Sequence, residues 1–329
     1  MVTDLGNVTF VLSSATNSEV TTEPFSFGWP WLMQKLAALV VVVAFSVITS
    51  SAAEMKQSGS PRADHTQRVR LYVFDCGTLH IADVGRFGLK RDQVATTDLA
   101  VASYLVVHPK GTLIWDTGAV PDGAWKPTGA PVSYHLLLPD AQQRDITLTK
   151  PLAGQLAELG YSPTDISYLA LSHYHYDHTA NANLFAGSTW LVRQEERDAM
   201  FGQTAPGTTQ PSTYASLRAA KTVIVKDDEF DVFGDQTVVI KWAPGHTPGH
   251  QVLYVNLSKT GPVLLSGDLY HYPEERVLNR VPTFEFDAGQ TRASRVVIDA
   301  FLKKTGAQLW IQHDFIGNAK LKKAPEYYE

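Results

Sequence analysis

The apolar run Leu169 to Leu171 leads straight into "SHYHYDH", which sets His173, His175, Asp177 and His178 within six positions. The whole chain has only 11 histidines in 329 residues, so this crowding is the strongest constraint on what it can fold into. Three imidazoles and a carboxylate make a poor packed core, because each buried polar group needs a partner. At the end of a buried strand they belong together on a metal. In extended chain, residues two apart point the same way, so His173 and His175 can grip one ion together. Asp177 and His178 follow where the chain must bend, and they can face a second ion.

Other chemistry-bearing residues repeat the pattern of sitting just after an apolar strand. His246 follows Val238–Trp242 inside "APGHTPGHQ", Asp268 follows Val263–Leu265 inside "LLSGDLYH", and His313 follows Leu309–Ile311 inside "WIQHD". Loops at strand ends are where rigid scaffolds present reacting groups. Zinc binds neutral imidazoles at about 2.0–2.1 Å and carboxylates at similar distance. His246 and His313 can complete the two shells, and Asp268, with two oxygens, can bridge them in a two-metal site about 3.5–4 Å across. The same nitrogen and oxygen donors also suit iron, manganese or cobalt. The single cysteine, Cys76, rules out an intrachain disulfide and a Cys-rich zinc site, and it reads as a small buried residue. His65, His80, His108 and His135 read as surface or hydrogen-bonded residues. His250 repeats the "PGH" of His246 and reads as a support for the ligands or a wall of the substrate site.

The formal charge is -5 and no basic block occurs, which argues against nucleic-acid binding. From Met33, a lysine precedes an apolar run from Leu36 to Ile48, and then come the small residues Ser51, Ala52 and Ala53. Residues 33–53 therefore read as a signal peptide, with Met33 as the true start and residues 1–32 as a mis-assigned N-terminal extension. The run is short of the roughly 20 apolar residues a membrane span needs, so no stable span is expected after cleavage. The expected location is periplasmic or secreted. Residues 54–68 read as a polar linker, and residues 69–329 as the folded domain.

Within that domain Val69–Phe74, Leu99–Val107 and Thr112–Trp115 read as strands. Residues 119–150 read as an irregular stretch, with Pro121, Pro127 and Pro131. Trp125, Tyr134 and Leu136 to Leu138 could line a groove there, although ordinary loop packing is the favoured reading. Leu152, Leu156 and Leu159 recur at helical spacing and Gly160 stops them. Further strands are expected at 167–171, 189–192, 238–242, 252–257, 262–266 and 308–312. Asp287 can cap a helix lined on one face by Ala293, Val297 and Phe301. Alternating strands and helices, with hairpin-like pairs among them, point to an α/β fold with mixed sheets.

At these residues the chain resembles the metallo-β-lactamase superfamily. "HYHYDH", "PGHTPGH", "SGD" and "IQHD" are similar to its ligand segments, and "DTG", Asp116 to Gly118, is similar to its early turn. The resemblance covers nearly all of residues 69–329. It implies an αββα sandwich, two mixed β-sheets flanked by helices with metals at one edge, and an Asp116 that braces the ligands. Within the superfamily the chain resembles the N-acyl homoserine lactonases, in "GHTPGHQ", in the strand entering "GD" and in the closing "APEYYE". The implied activity is lactone-ring opening, which removes a quorum-sensing signal, by a hydroxide bridging two zinc ions. Asp177 would shuttle the proton to the leaving oxygen. In those lactonases a tyrosine three positions after the bridging aspartate touches the substrate carbonyl. Here that position is His271, so His271, or its neighbour Tyr270 or Tyr272, is expected to take that role. The alternatives are another metallohydrolase, acting on a β-lactam, a thioester or an organophosphate, or a non-catalytic zinc-binding protein.

The leader reading has a direct check. N-terminal sequencing of the exported protein is expected to begin near Glu54, whereas a mature chain that retains Phe25 to Trp31 overturns it.

Overall fold

The computed structural model describes residues 68–126, 130–138 and 141–329. The extension, the signal peptide, almost all of the linker, and His65 lie outside the described residues. Among the described residues no helix is long and apolar enough to cross a membrane.

Alternation along β2 (Asp98–His108) sets the frame. Leu99, Val101, Leu105 and Val107 pack to one side, Ala102, Tyr104 and Val106 to the other, and all are buried. A strand that is apolar on both faces must be covered on both. β2 pairs antiparallel with β1 (Arg70–His80) and with β3 (Gly111–Trp115). On one side the sheet continues through the hairpin β4 (Val132–Leu137) and β5 (Gln143–Leu148), with β5 pairing to β1. On the other it continues through β6 (Tyr168–Ala170), β7 (Thr189–Val192) and β8 (Thr222–Ile224), all parallel from β3 outward. The order is β4-β5-β1-β2-β3-β6-β7-β8.

A second sheet holds β9 (Glu229–Asp231), β10 (Val238–Trp242), β11 (Gln251–Leu257), β12 (Gly261–Leu265) and β13 (Gln308–Trp310). Its order is β13-β12-β11-β10-β9, antiparallel throughout except for the parallel pair β12–β13. Leu71, Val73, Tyr104 and Trp115 of the first sheet meet Val238, Ile240, Leu253 and Val263 of the second in one buried layer. Each fully buried side chain of this kind contributes roughly 1.5–3 kcal/mol. On the outer face of the first sheet, Leu152 and Leu156 of α1 (Leu152–Glu158) and Met200 of α3 (Gln194–Phe201) pack with Phe74, Leu105 and Trp190. On the outer face of the second, Ile298 and Leu302 of α5 (Ala288–Thr305) cover Val252 and Leu264. The architecture is the expected αββα sandwich of two mixed sheets. Three shorter helices complete the described set: α2 (Tyr176–Thr179), α4 (Pro273–Val277) and α6 (Phe315–Ala319).

This topology gathers the strand ends that matter. β3 and β6 run parallel, so their C-terminal ends share an edge. β10 and β12 are each antiparallel to β11, and β13 is parallel to β12, so these three also end together.

Three sequence expectations need correction. Residues 119–150 are not irregular throughout, since they contain the β4–β5 hairpin. One side of each strand is exposed, so the apolar alternation is too weak to read. β1 runs past Phe74 to His80, because an irregularity between Asp75 and Thr78, with Gly77 at φ +126°, lets pairing resume. The buried face of α5 is Thr291, Ser294, Arg295, Ile298 and Leu302, whereas Ala293 is exposed and Val297 is 59% exposed. Hydrogen bonds bury the polar members of that face: Ser294 donates to the Pro244 carbonyl at 2.7 Å. Asp287 does cap the helix, accepting from the Gly289 and Gln290 amides, and Gly306 at φ +67° ends it.

The corrected face is testable by urea denaturation. Ile298→Ala is expected to cost about 2–5 kcal/mol, by lost burial and cavity formation. Val297→Ala is expected to stay within about 0.5 kcal/mol.

Candidate metal centre

Each candidate residue sits where a strand runs out. After β6 the chain bends at Ser172 and again at Tyr174 and His175, whose own backbone is extended (φ -63°, ψ 154°), before α2 begins. His173 and His175 therefore come from the loop after β6, while Asp177 and His178 come from the helical turn. His246 follows β10 through Gly245, whose φ of +133° and close approach leave no room for a side chain: a Cβ there would lie 2.2 Å from the Thr291 amide nitrogen. Asp268 follows β12 through Gly267 at φ +48°, where a Cβ would lie 2.7 Å from His250 Nε2. His313 follows β13.

The structure brings all seven predicted ligand residues together, and all are buried. They fall into two groups. Donor atoms of His173, His175, His246 and Asp268 lie within 4.8 Å of one another, and so do those of Asp177, His178 and His313. Asp268 spans the two. Its Oδ2 lies 3.5 Å from His173 Nε2 and 3.3 Å from His246 Nε2, while its Oδ1 lies 3.1 Å from His178 Nε2 and 3.0 Å from His313 Nε2. Asp177 Oδ2 faces His313 Nε2 at 3.5 Å.

The protons around the cluster show what it can hold. His313 Nδ1 donates to the Ala100 carbonyl at 2.7 Å, and His178 Nδ1 donates to the Asp116 carboxylate at 2.9 Å. In the neutral rings both Nε2 atoms are then bare lone pairs, and they stand 3.3 Å apart. Only a cation or a proton between them relieves that contact. His173 Nε2 and Asp268 Oδ1 are buried without a hydrogen-bond partner. Burial and the neighbouring imidazoles push His173 and His175 well below the ordinary histidine value, so both keep their lone pairs. Burial also lowers His178 and His246, but carboxylates outweigh it. Asp268 and Asp116 hold His178 well above its usual value, and Glu285 and Asp268 hold His246 up at about 9. The pocket thus demands positive charge, and it offers only nitrogen and oxygen donors. That is the fit for a divalent metal in each group.

Neighbouring side chains aim these donors. Asp116, at φ +58°, accepts from the Ser172 amide at 2.6 Å, the Ser172 hydroxyl at 2.9 Å and Gln312 Nε2 at 2.7 Å, as well as from His178. His250 donates through Nδ1 to the Ala243 carbonyl and accepts the Asp268 amide at Nε2, both at 2.9 Å. Burial pushes His250 down to about 3, which suits that acceptor role. Of the two readings of His250 the structure gives the supporting one. Glu285 accepts from His246 Nδ1 at 2.9 Å. Glu196 joins two loops, accepting from the Tyr174 amide at 2.7 Å, the Thr247 hydroxyl at 2.8 Å and the Gly249 amide at 2.9 Å. Sequence reasoning missed Glu196 and Glu285. Glu196 sits in the charged stretch "RQEERD" and Glu285 lies between two phenylalanines in an unpatterned segment, and only their burial distinguishes them from solvated acids.

A cleft of about 380 Å³ opens onto the cluster. Leu79, Ile81, Phe87, Leu99 and Phe284 give it apolar walls, Asp177, Asp268, His271 and His313 reach its floor, and Gln142 and Arg144 stand on its rim. His271 points its Nε2 at Asp268 Oδ2, 3.1 Å away. Burial opposes the charge on His271, but Asp268 and Glu275 raise it to about 10. Tyr270 and Tyr272 must be removed from the candidate set. Both flank His271 in extended backbone and so point away from it. The Tyr270 ring lies 4.2 Å from the Arg295 guanidinium, and the Tyr272 hydroxyl donates to the Thr97 carbonyl at 3.3 Å. The suggested groove is ordinary packing: Leu136 and Leu138 are core residues, Leu137 is 71% exposed, and Trp125 Nε1 donates to the Thr149 carbonyl. His80 and His135 pair with Asp98 and Asp145, and His108 pairs with Asp235. Cys76 is buried.

An αββα sandwich with histidines and aspartates converging at its strand ends defines a metal-dependent hydrolase. Residues 96–307 match the family model described as the metallo-beta-lactamase superfamily, and the chain belongs to that superfamily. It is 28% identical over 274 residues to the N-acyl homoserine lactonase AttM of Azorhizobium caulinodans, covering 79% of this chain and 99% of that one. It is 29% identical over 264 residues to an N-acyl homoserine lactonase of a Bacillus species, covering 76% and 98%. Among solved structures it is similar to an AiiA variant from B. thuringiensis with N-decanoyl-L-homoserine at its active site. There the TM-score is 0.67 at 24% identity, over 80% of this chain and 100% of that one.

The bracing role of Asp116 predicts a metal phenotype without loss of a ligand. Asp116→Ala is expected to weaken metal affinity about 10–100-fold, read by competition with a chromogenic chelator. An unchanged affinity contradicts that role.

Proposed function

We propose that this protein is a di-zinc lactonase that opens the ring of N-acyl homoserine lactones. The observation that carries the reading is the placement of Asp268: one carboxylate oxygen faces each group of donors, at the floor of a cleft with apolar walls. The lactonase relatives, matched over nearly their whole length, support the substrate class. One metal would be held by His173, His175 and His246, the other by Asp177, His178 and His313, with Asp268 shared. When bound, such a pair supplies an activated water and polarises the substrate carbonyl.

The chain's own residues supply orientation and proton handling. Phe87 and Phe284 pack edge-on against His271, with ring centroids 4.9 and 5.6 Å away, and keep water from its flank. His271 reaches the cleft floor, where its Nε2 can meet the lactone carbonyl. Asp177 lines the cleft beside His313 and can carry a proton to the leaving alkoxide. Leu79, Ile81 and Leu99 offer the apolar surface an acyl chain needs. Export by the leader at residues 33–53 would bring the enzyme to a diffusible signal outside the cytoplasm.

The test is a substrate panel with zinc-loaded protein. N-acyl homoserine lactones are expected to exceed a β-lactam, a thioester and a phosphotriester by about 100-fold or more in kcat/KM, since the amide and acyl chain add binding those lack. Asp268→Ala is expected to lower lactone turnover by at least about 100-fold. Equal or better turnover of a rival substrate overturns the assignment, and bound zinc with no turnover on any of them indicates a binding protein.

A further inference from the structure

A buried acid lies directly behind His271, and neither the metal cluster nor the cleft uses it. Glu275 is fully buried in the first turn of α4, four residues after His271. Its Oε1 is 3.3 Å from His271 Nδ1. Both atoms are buried and no hydrogen bond reaches either of them. A buried carboxylate left alone is costly, so a pair of orphaned atoms at this separation serves each other.

The other oxygen of Glu275 is tied down. Arg295 Nη2 donates to Oε2 at 2.9 Å. Arg295, itself buried on the inward face of α5, also donates through Nε to the Leu269 carbonyl at 2.9 Å and through Nη1 to the Arg280 carbonyl, and its guanidinium sits over the Tyr270 ring. Three bonds and a ring fix one end of the acid. The other end can then address only His271.

We propose that Glu275, held by Arg295, is the positioning residue for His271: it faces Nδ1 and so fixes the plane of the ring, with Nε2 aimed into the cleft beside Asp268. The inference rests on the lactonase reading for the role of His271, but not for the pairing itself. A carboxylate cannot donate, so a Glu275 contact requires a proton on Nδ1, whether or not Nε2 also carries one. Without it the ring is free to turn about its last torsion.

Two measurements test this on the zinc-loaded protein. The first is a double-mutant cycle with N-hexanoyl homoserine lactone as substrate. Glu275→Gln alone is expected to lower kcat about tenfold, with zinc content unchanged. In a His271→Ala background the same change is expected to alter kcat by less than about twofold, because the group it positions is gone. An equal loss in both backgrounds assigns Glu275 a merely structural part and overturns the proposal. The second needs no turnover: ¹⁵N imidazole spectra should place a His271 proton on Nδ1 in the parent, with that signature lost or displaced in Glu275→Gln. A parent protonated on Nε2 alone overturns the pairing. If the parent protein opens no lactone while the spectra stand, the substrate assignment fails and the pairing survives. Gln is chosen because it preserves the shape of the side chain and its bond to Arg295. Thermal unfolding of the variant, expected within a few degrees of the parent, guards against loss of fold.

Discussion

The structure depends on the carboxylate of Asp116. It stands at the end of β3 with no exposure to solvent, and it accepts from Ser172 after β6, from His178 in α2 and from Gln312 after β13. These partners belong to both sheets. One anion therefore sets the distance between the two halves of the sandwich at the edge where chemistry is possible. A buried charge is tolerable only when its oxygens are satisfied, and four donors meet that condition. Its left-handed backbone, unusual for a residue with a side chain, is the local strain this arrangement sustains.

From that anchor the imidazoles follow. Each ring whose far nitrogen is engaged turns its near nitrogen to the interior: His178 through Asp116, His246 through Glu285, and His313 through the Ala100 carbonyl. Holding the outer nitrogen fixes the direction of the inner one. The same rule recurs on the cleft side, where Glu275 stands behind His271. Arg295 extends it one step further, and this explains why a helix packed on a sheet carries a cation on its inward face.

The legible part of this protein was the part written in strands and in close sequence spacing. The four ligand segments were readable because each follows an apolar run and because imidazoles are rare along the chain. Alternating strands and helices pointed to an α/β fold with mixed sheets, and the sandwich itself was implied by the family resemblance of the ligand segments. What escaped was written in three dimensions. Glu196, Glu275 and Glu285 look like any solvated acid until burial is known. Thr291, Ser294 and Arg295 misled the reading of α5, because hydrogen bonds took the place of apolar contact on its inner face. Tyr270 and Tyr272 were placed at the site by proximity in sequence, although in extended chain the immediate neighbours of an inward residue face outward. The β4–β5 hairpin was hidden by prolines and by strands with one side in solvent.

That hairpin hangs on β1 through three residue pairs, Thr78–Thr147, Leu79–Ile146 and His80–Asp145, and it provides Gln143, Arg144 and Asp145 to the cleft. None of the seven donor residues lies on it. One side of the cleft and the donors at its floor are therefore carried by separate pieces of chain. Substitutions in the hairpin can reshape the mouth of the cleft while leaving every donor residue in place.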